Sequence, residues 1–165
     1  MAFIVFKIHR MKYQRLSKEQ LEEMHKEFIN FLATQTITAS EWEDIKIETP
    51  EVAEQELDVF SDLVWEGVLN KVTYLEHISP QQMHLFYLKE ANMHVIAVQL
   101  KNGVDLTTQE GFEWLRNNIM SDDVEFLQAK KEYSADKNAD KFTLIQQGSI
   151  ISSGDLFSYF DKIIN

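Results

Sequence analysis

Cysteine is absent from the 165-residue chain, and proline and glycine are scarce, with two and five residues. Without cysteine the protein has no disulfide, no thiolate metal ligand and no cysteine nucleophile, a composition that favours the cytoplasm. The few prolines and glycines form no stretch typical of a flexible linker. We therefore expect a single domain over residues 1–165, which is long enough for one sizeable hydrophobic core.

The chain also lacks a hydrophobic run long enough to cross a membrane. Its apolar N-terminal stretch, residues 1–6 (MAFIVF), is far shorter than the ~20 residues that a transmembrane helix requires. No basic residue precedes this stretch and no small-residue cleavage site follows it, so it differs from a signal peptide. Residues 1–16 form a basic N-terminal extension, and two interpretations of its apolar stretch stay open: an added strand, or an upstream extension with the true start at Met11.

Basic residues are outnumbered, with 16 lysines and arginines against 27 acids and a formal net charge of −11. Residues 17–66 contain fourteen of the acids and three of the bases, so this stretch alone has a formal charge of −11. Such a surface repels nucleic-acid phosphates and anionic lipid, and it attracts cations and basic proteins. We therefore expect no nucleic acid and no membrane as partner, and a basic protein or self-association instead.

Hydrophobic periodicity and capping residues predict helices in this acidic half. Ser17 and Gln20 have capping-box spacing at the start of a helix over residues 17–34. A second capping box, formed by Ser40 and Glu43, predicts a short helix. A third, long helix is predicted to begin where a threonine precedes Pro50, because proline is well tolerated at the first helical position.

The second half of the chain begins with a pattern typical of strands. Residues 72–78, 84–89 and 93–100 are rich in β-branched and aromatic side chains and are separated by short polar turns. We expect a three-stranded antiparallel meander, then C-terminal helices, with a mobile loop over residues 130–140. The element at residues 124–127 fits a strand or a helix, and the aromatic residues of the last helix predict that it docks on the domain. The predicted fold class is α+β, with acidic N-terminal helices packed on the sheet. The exposed edges of such a sheet can pair with another chain, so a homodimer is expected as much as a monomer.

Four acids at strict four-residue spacing form one row along the predicted long helix. Neighbouring like charges at this spacing repel by about 0.2–0.5 kcal/mol per pair, so we expect their neutralisation to leave the fold intact or slightly more stable. The row is our candidate surface for a basic partner, and a solvated helix face is the alternative. This acidic row consists of Glu54, Asp58, Asp62 and Glu66.

The N-terminal segment offers a basic counterpart to the acidic row. It contains four bases and no acid between Lys7 and Arg15, the other two being Arg10 and Lys12. We expect this segment to lie across the acidic helices of the same chain or of a second subunit. Exposed ion pairs are usually worth less than ~1 kcal/mol each, so the contact is expected to orient the segment more than to stabilise the fold.

Two histidines, His77 and His84, flank the first predicted β-turn. If Ile78 pairs with Met83, the two imidazoles lie opposite each other, with Cβ atoms about 4.5–5.5 Å apart. Such a pair could bind a divalent metal or respond to pH near neutrality, and ordinary strand histidines are the alternative.

The sequence contains no catalytic signature. It has no phosphate-binding glycine loop, no nucleophile elbow and no zinc-ligand spacing. We therefore favour a non-enzymatic interaction or adaptor module that needs no cofactor and presents its acidic helices to a basic protein. The alternative is a metal-binding protein or an enzyme with a site near His77 and His84.

Four short runs of the chain carry a family resemblance. They are residues 63–69 (LVWEGVL), 74–82 (YLEHISPQQ), 146–148 (QQG) and 155–157 (DLF). They resemble a family of short bacterial proteins of unknown function, and the resemblance extends over most of residues 11–165. It implies one conserved unit and a start near Met11, and it implies no catalytic residue, cofactor or substrate.

Overall fold

The computed structural model describes residues 10–165. The chain divides into two compact units, the first ending at Val68 and the second running from Leu69 to Asn165. The regular elements described in the first unit are all helices, whereas the second unit contains a five-stranded sheet and helices. The predicted α+β class is therefore confirmed. The expectation of a single domain stays a prediction.

Helices of the first unit begin at residues whose side chains cap them. The capping box of Ser17 and Gln20 is confirmed, although the predicted first helix is interrupted at Met24. The second box was misplaced by two residues: Thr38 caps the helix, and its side chain accepts from the N–H of Glu41 at 3.2 Å. The four helices are α1 (Lys18–Glu23), α2 (His25–Thr34), α3 (Ala39–Glu48) and α4 (Pro50–Lys71), the last of which extends three residues beyond Val68.

An aromatic cluster forms the centre of the first unit's core. The ring of Phe28 meets Trp42 and Phe60 edge to face, with both centroid distances at 5.1 Å. Aromatic pairs in this arrangement add about 0.5–1.5 kcal/mol to the free energy gained by burial. The buried apolar residues of this core are Leu16, Phe28, Leu32, Trp42, Ala53 and Phe60.

The meander predicted for the second unit is confirmed and forms the middle of a larger sheet. All its neighbouring strands pair antiparallel, in the order β4-β3-β2-β1-β5. The element whose type the sequence left open is the edge strand β4, which pairs with β3 over nine residues. The strands are β1 (Tyr74–Ile78), β2 (Gln82–Leu88), β3 (Asn92–Leu100), β4 (Val124–Glu132) and β5 (Ile150–Ile151).

The expected mobile loop over residues 130–140 is wrong. Its first three residues belong to β4, and its last four belong to a helix that Asp136 caps by accepting from the N–H of Ala139 at 3.1 Å. The polar composition of this stretch reflects an exposed edge strand and a helix start. The three helices of the second unit are α5 (Gln109–Asn117), α6 (Lys137–Gln146) and α7 (Asp155–Ile164).

Each face of the sheet has its own apolar cluster. On one face α5 and α7 cover the strands, and Leu115, Phe157 and Phe160 pack on Ile96 and Val98. The predicted docking of the C-terminal helix is thus confirmed. On the opposite face, α6 contributes to a smaller cluster. Its buried members are Val72, Leu75, Leu88 and Met93.

The sheet ends at β4 on one side and at the two-residue strand β5 on the other. Strand β4 carries exposed charges at Lys130, Lys131 and Glu132, which discourage edge-to-edge pairing with another sheet. Homodimerisation stays a prediction. Within residues 10–165, every helix is too short or too polar to cross a bilayer.

Candidate functional site

The acidic row on α4 contacts residues 12–15, the described end of the chain's own N-terminal segment. Asp62 is only 9% exposed, and its carboxylate accepts two backbone N–H groups, from Lys12 at 2.7 Å and from Tyr13 at 2.9 Å. A buried carboxylate with two charge-assisted hydrogen bonds is a strong structural anchor. Asp62, which the sequence predicted to be a surface charge, therefore helps to hold residues 12 and 13 against α4.

Arg15 pairs with the two row residues nearest the start of α4. Its Nε donates to Asp58 Oδ1 at 2.7 Å, and its guanidinium also contacts the carboxylate of Glu54. The hydrogen bond to Asp58 raises the pKa of Arg15 further above its usual value. A single arginine therefore contacts two of the four carboxylates and offsets one of the four negative charges.

The last carboxylate of the row, Glu66, accepts a hydrogen bond from the hydroxyl of Tyr13. The ammonium of Lys12 lies 3.8 Å from the Glu66 Oε2 atom. Burial, together with the hydrogen bond to Glu66, raises the pKa of Tyr13 to about 12. The phenol is therefore a proton donor to Glu66 across the physiological pH range.

Two further hydrogen bonds hold the segment against α4. The N–H of Leu16 donates to Ser61 Oγ at 3.1 Å, and the indole N–H of Trp65 donates to the carbonyl of Gln14 at 3.0 Å. The segment thus runs antiparallel to the helix, with its lower-numbered residues beside the higher-numbered part of the row.

The proposed basic counterpart therefore lies on the row within the same chain, through Lys12 and Arg15. Arg10 is exposed, and Lys7 lies outside the described residues. Binding of a separate basic partner by Glu54, Asp58, Asp62 and Glu66 stays a prediction. Such a partner would have to compete with contacts that the row already makes.

A second acidic surface, which the sequence reasoning missed, surrounds a groove between α3 and the neighbouring ends of α2 and α4. The groove has a volume of about 580 Å³. Among the described residues that line it, none is a lysine, arginine or histidine. Its acids are Glu41, Asp44, Glu48 and Glu56, and its apolar residues are Ile37, Ile45 and Val52. We call this surface the acidic groove.

Glu56 is the innermost acid of the acidic groove. It is half-buried, and its Oε2 atom is buried without a hydrogen-bond partner among residues 10–165. Burial raises the pKa of Glu56, and a hydrogen bond from Gln35 opposes this rise. A buried carboxylate oxygen without a partner is costly, so a donor that reached it would gain free energy.

The sequence does contain a signal for the acidic groove. Glu41, Asp44 and Glu48 occur at i, i+3 and i+7, which places them on one side of α3, next to Ile45. The signal was missed because the strict four-residue spacing on α4 was the more regular pattern.

His77 and His84 face each other as predicted. The register pairs Ile78 with Met83 and His77 with His84. Gly148, at a φ of +110°, lies so close to His77 that a Cβ atom there would be 3.1 Å from His77 Nε2. Within residues 10–165 there is no group of three or more histidine, cysteine, aspartate or glutamate side chains that could hold a metal ion. The pair therefore offers two imidazoles, and metal binding there stays a prediction.

The histidine pair predicts a pH effect on stability. Burial, and secondarily the charge of His77, lowers the pKa of His84. Below the usual histidine pKa of about 6.5 the unfolded chain binds the proton more readily than the folded chain, so His84 destabilises the fold as the pH falls. When the pH is lowered from about 7.5 to 5.5, we expect the melting temperature of His84→Gln to fall less than that of the parent protein.

The control for this effect is His25→Gln, which changes an exposed histidine on α2. Thermal unfolding followed by circular dichroism gives the melting temperature of all three proteins. If His25→Gln reduced the acid sensitivity as much as His84→Gln does, the effect would not come from the strand pair.

Comparison with known proteins places the chain in a family. A family model described as a family of unknown function, DUF6495, matches residues 11–165. The chain belongs to this family. The resemblance inferred from the runs near Trp65 and Gly148 is thus confirmed over the range that it predicted. No curated protein and no solved structure matches the chain. Membership of the family assigns no activity to any of the surfaces described above.

Proposed function

We propose that the protein is a non-enzymatic interaction module that binds a basic, amphipathic segment of another protein in the acidic groove. The observation that carries this proposal is the buried, unpartnered Oε2 of Glu56 inside a groove that has four carboxylates and no cationic side chain among its described lining residues. The absence of cysteine suits an encounter in the cytoplasm.

The groove matches the two parts of a lysine or arginine side chain. The aliphatic stem can pack on Ile37, Ile45 and Val52, while the charged head reaches the surrounding carboxylates. A partner helix that carries basic residues beside apolar ones on the same face satisfies both parts at once. A partner with basic residues alone would contact the carboxylates and leave the apolar residues of the groove uncovered.

The acidic row is a weaker candidate for the same role. Its carboxylates already accept hydrogen bonds from residues 12–15, so a partner would have to displace the chain's own segment. In the acidic groove, by contrast, the described residues form no ion pair with Asp44, Glu48 or Glu56. The geometry therefore favours the groove over the row.

A labelled peptide tests the proposal. The probe is an amphipathic helical peptide of about 12 residues made of lysine and leucine, and its binding is followed by fluorescence anisotropy. We expect the double variant Asp44→Asn/Glu48→Gln to weaken binding at least about tenfold, because two rim carboxylates are neutralised. Glu56→Gln should weaken it similarly, since the amide cannot form an ion pair.

The matched control is Glu23→Gln/Glu27→Gln, which removes the same charge from exposed positions on α1 and α2. This control should retain binding within about threefold. Equal losses in the two double variants would show unspecific attraction to net charge and refute the groove. Absence of measurable binding by the parent protein would refute the proposal altogether.

A further inference from the structure

The second unit contains a polar cavity whose residues meet only in the folded sheet. Register pairs Tyr74 with Tyr87, Tyr87 with His94, and His94 with Lys130, so these four side chains form one row across four strands. Directly paired residues share a face of the sheet. This is the face on which Phe157 of α7 packs, and its ring meets His94 edge to face at 5.1 Å.

His94 is buried, with 7% exposure, and side-chain amides fix its orientation. Asp161 Oδ1 accepts from Asn165 Nδ2 at 2.8 Å, which sets the orientation of that amide. Asn165 Oδ1 then accepts from Gln128 Nε2 at 3.0 Å, so Gln128 presents its oxygen to His94 Nε2, also at 3.0 Å. The four side chains therefore form one connected network.

This network determines where the imidazole carries its proton. Gln128 Oε1 can only accept, so His94 Nε2 must donate. In the neutral ring Nδ1 is then the acceptor, and a second proton there would make the ring a cation. The hydrogen bond to Gln128 therefore fixes the tautomer of this buried histidine.

A cavity of about 500 Å³ lies beside this network. His94, Gln128, Asp161 and Asn165 line it, together with Lys89 and Lys130. The Lys89 ammonium lies 5.2 Å from the centre of the Tyr87 ring. Among the residues that the structure describes, no carboxylate lies within 4.0 Å of either lysine.

Lys89 and Lys130 pair with no carboxylate of residues 10–165, although the chain has a net charge of −11. Both line the same concave surface as a buried histidine, so their positive potential is focused on the cavity. The volume is in the range of small-molecule sites, and the lining is predominantly polar. These features fit a small anion better than an apolar ligand.

We propose that this cavity binds a small molecule through a phosphate or carboxylate group. Lys89 and Lys130 hold the oxyanion. His94 lines the same cavity, and because Nε2 is bonded to Gln128, only Nδ1 is left to face a ligand. The Gln128–Asn165 amide pair positions the imidazole. This site lies within the second unit and is independent of the acidic groove.

Nuclear magnetic resonance of ¹³C-labelled histidine tests the proposal. Inorganic phosphate and succinate are titrated separately at constant ionic strength, and the ring C–H signal of His94 is followed. We expect a saturable shift at millimolar anion that is absent in Lys89→Gln/Lys130→Gln. Saturation by phosphate alone assigns a phosphate ester, by succinate alone a carboxylate, and by both a general oxyanion site.

The control variant is Lys101→Gln/Lys162→Gln, which removes two exposed lysines of the same unit. It should retain the shift, and unchanged signals of His77 and His84 verify that each variant is folded. A shift that persists without Lys89 and Lys130, or that the control also loses, would overturn the proposal. So would the absence of a saturable shift with both anions.

Discussion

Replacing Asp62 with alanine should lower the free energy of unfolding by about 2–4 kcal/mol. The carboxylate is nearly buried and is the acceptor for the backbone N–H groups of Lys12 and Tyr13. Each donor left without a partner costs about 1–3 kcal/mol, and partial access of water reduces the sum. The corresponding loss of melting temperature is roughly 5–15 °C, measured by circular dichroism.

The control for Asp62→Ala is Asp44→Ala, an equal change at an exposed position on α3. It should alter the free energy of unfolding by no more than about 0.5 kcal/mol. Equal effects at the two positions would mean that the N-terminal segment does not depend on Asp62 for its attachment to α4.

This expectation reverses the one drawn from the sequence. Like charges four residues apart on a helix repel, so neutralising the acidic row was expected to be neutral or stabilising. That argument considers the helix alone. Hydrogen bonds from the segment at residues 12–16 outweigh the repulsion, because each is worth more than a like-charge pair costs. A segment some fifty residues away along the chain supplies them, which explains why spacing on α4 alone could not reveal it.

Structural features that depend on residues close together in the sequence were predicted best. The start of α4 at Pro50 follows from local chemistry, and the meander follows from β-rich runs separated by short turns. The strand β4 was left open because its short apolar run fits either a helix or a strand when read alone. Its type is decided by pairing with β3, as in Val98 with Phe126, which is a non-local contact.

The candidate sites also differ in whether local sequence or non-local contacts determine them. The facing of His77 and His84 was predicted on the condition that Ile78 pairs with Met83, and given that pairing, parity along two adjacent strands was enough. The cavity beside His94 required the register of four strands and the position of α7. Neither Lys89 nor Lys130 lies in a motif, so nothing in the sequence brought them together before the fold was known.

Replacing Lys141 with methionine should cost about 2–4 kcal/mol of the free energy of unfolding. This lysine of α6 is only 3% exposed, and its ammonium donates to the carbonyls of Leu69 and Val72, both at 2.8 Å. Carbonyls at the C-terminal end of a helix lack partners within the helix. A cation there also interacts favourably with the negative end of the helix dipole. Burial, together with the charge of Lys137, lowers the pKa of Lys141.

Methionine is an unbranched apolar side chain of nearly the same length as the stem of Lys141 and has no ammonium, so packing changes little and the two carbonyls lose their donor. The control is Lys162→Met, an exposed lysine on α7, which should change stability by no more than about 0.5 kcal/mol. Urea unfolding measures both variants, and hydrogen exchange of the amides near Leu69 reports whether the end of α4 opens. If Lys141→Met matched its control and exchange near Leu69 were unchanged, water would be satisfying those carbonyls and the ammonium would not hold the helix end.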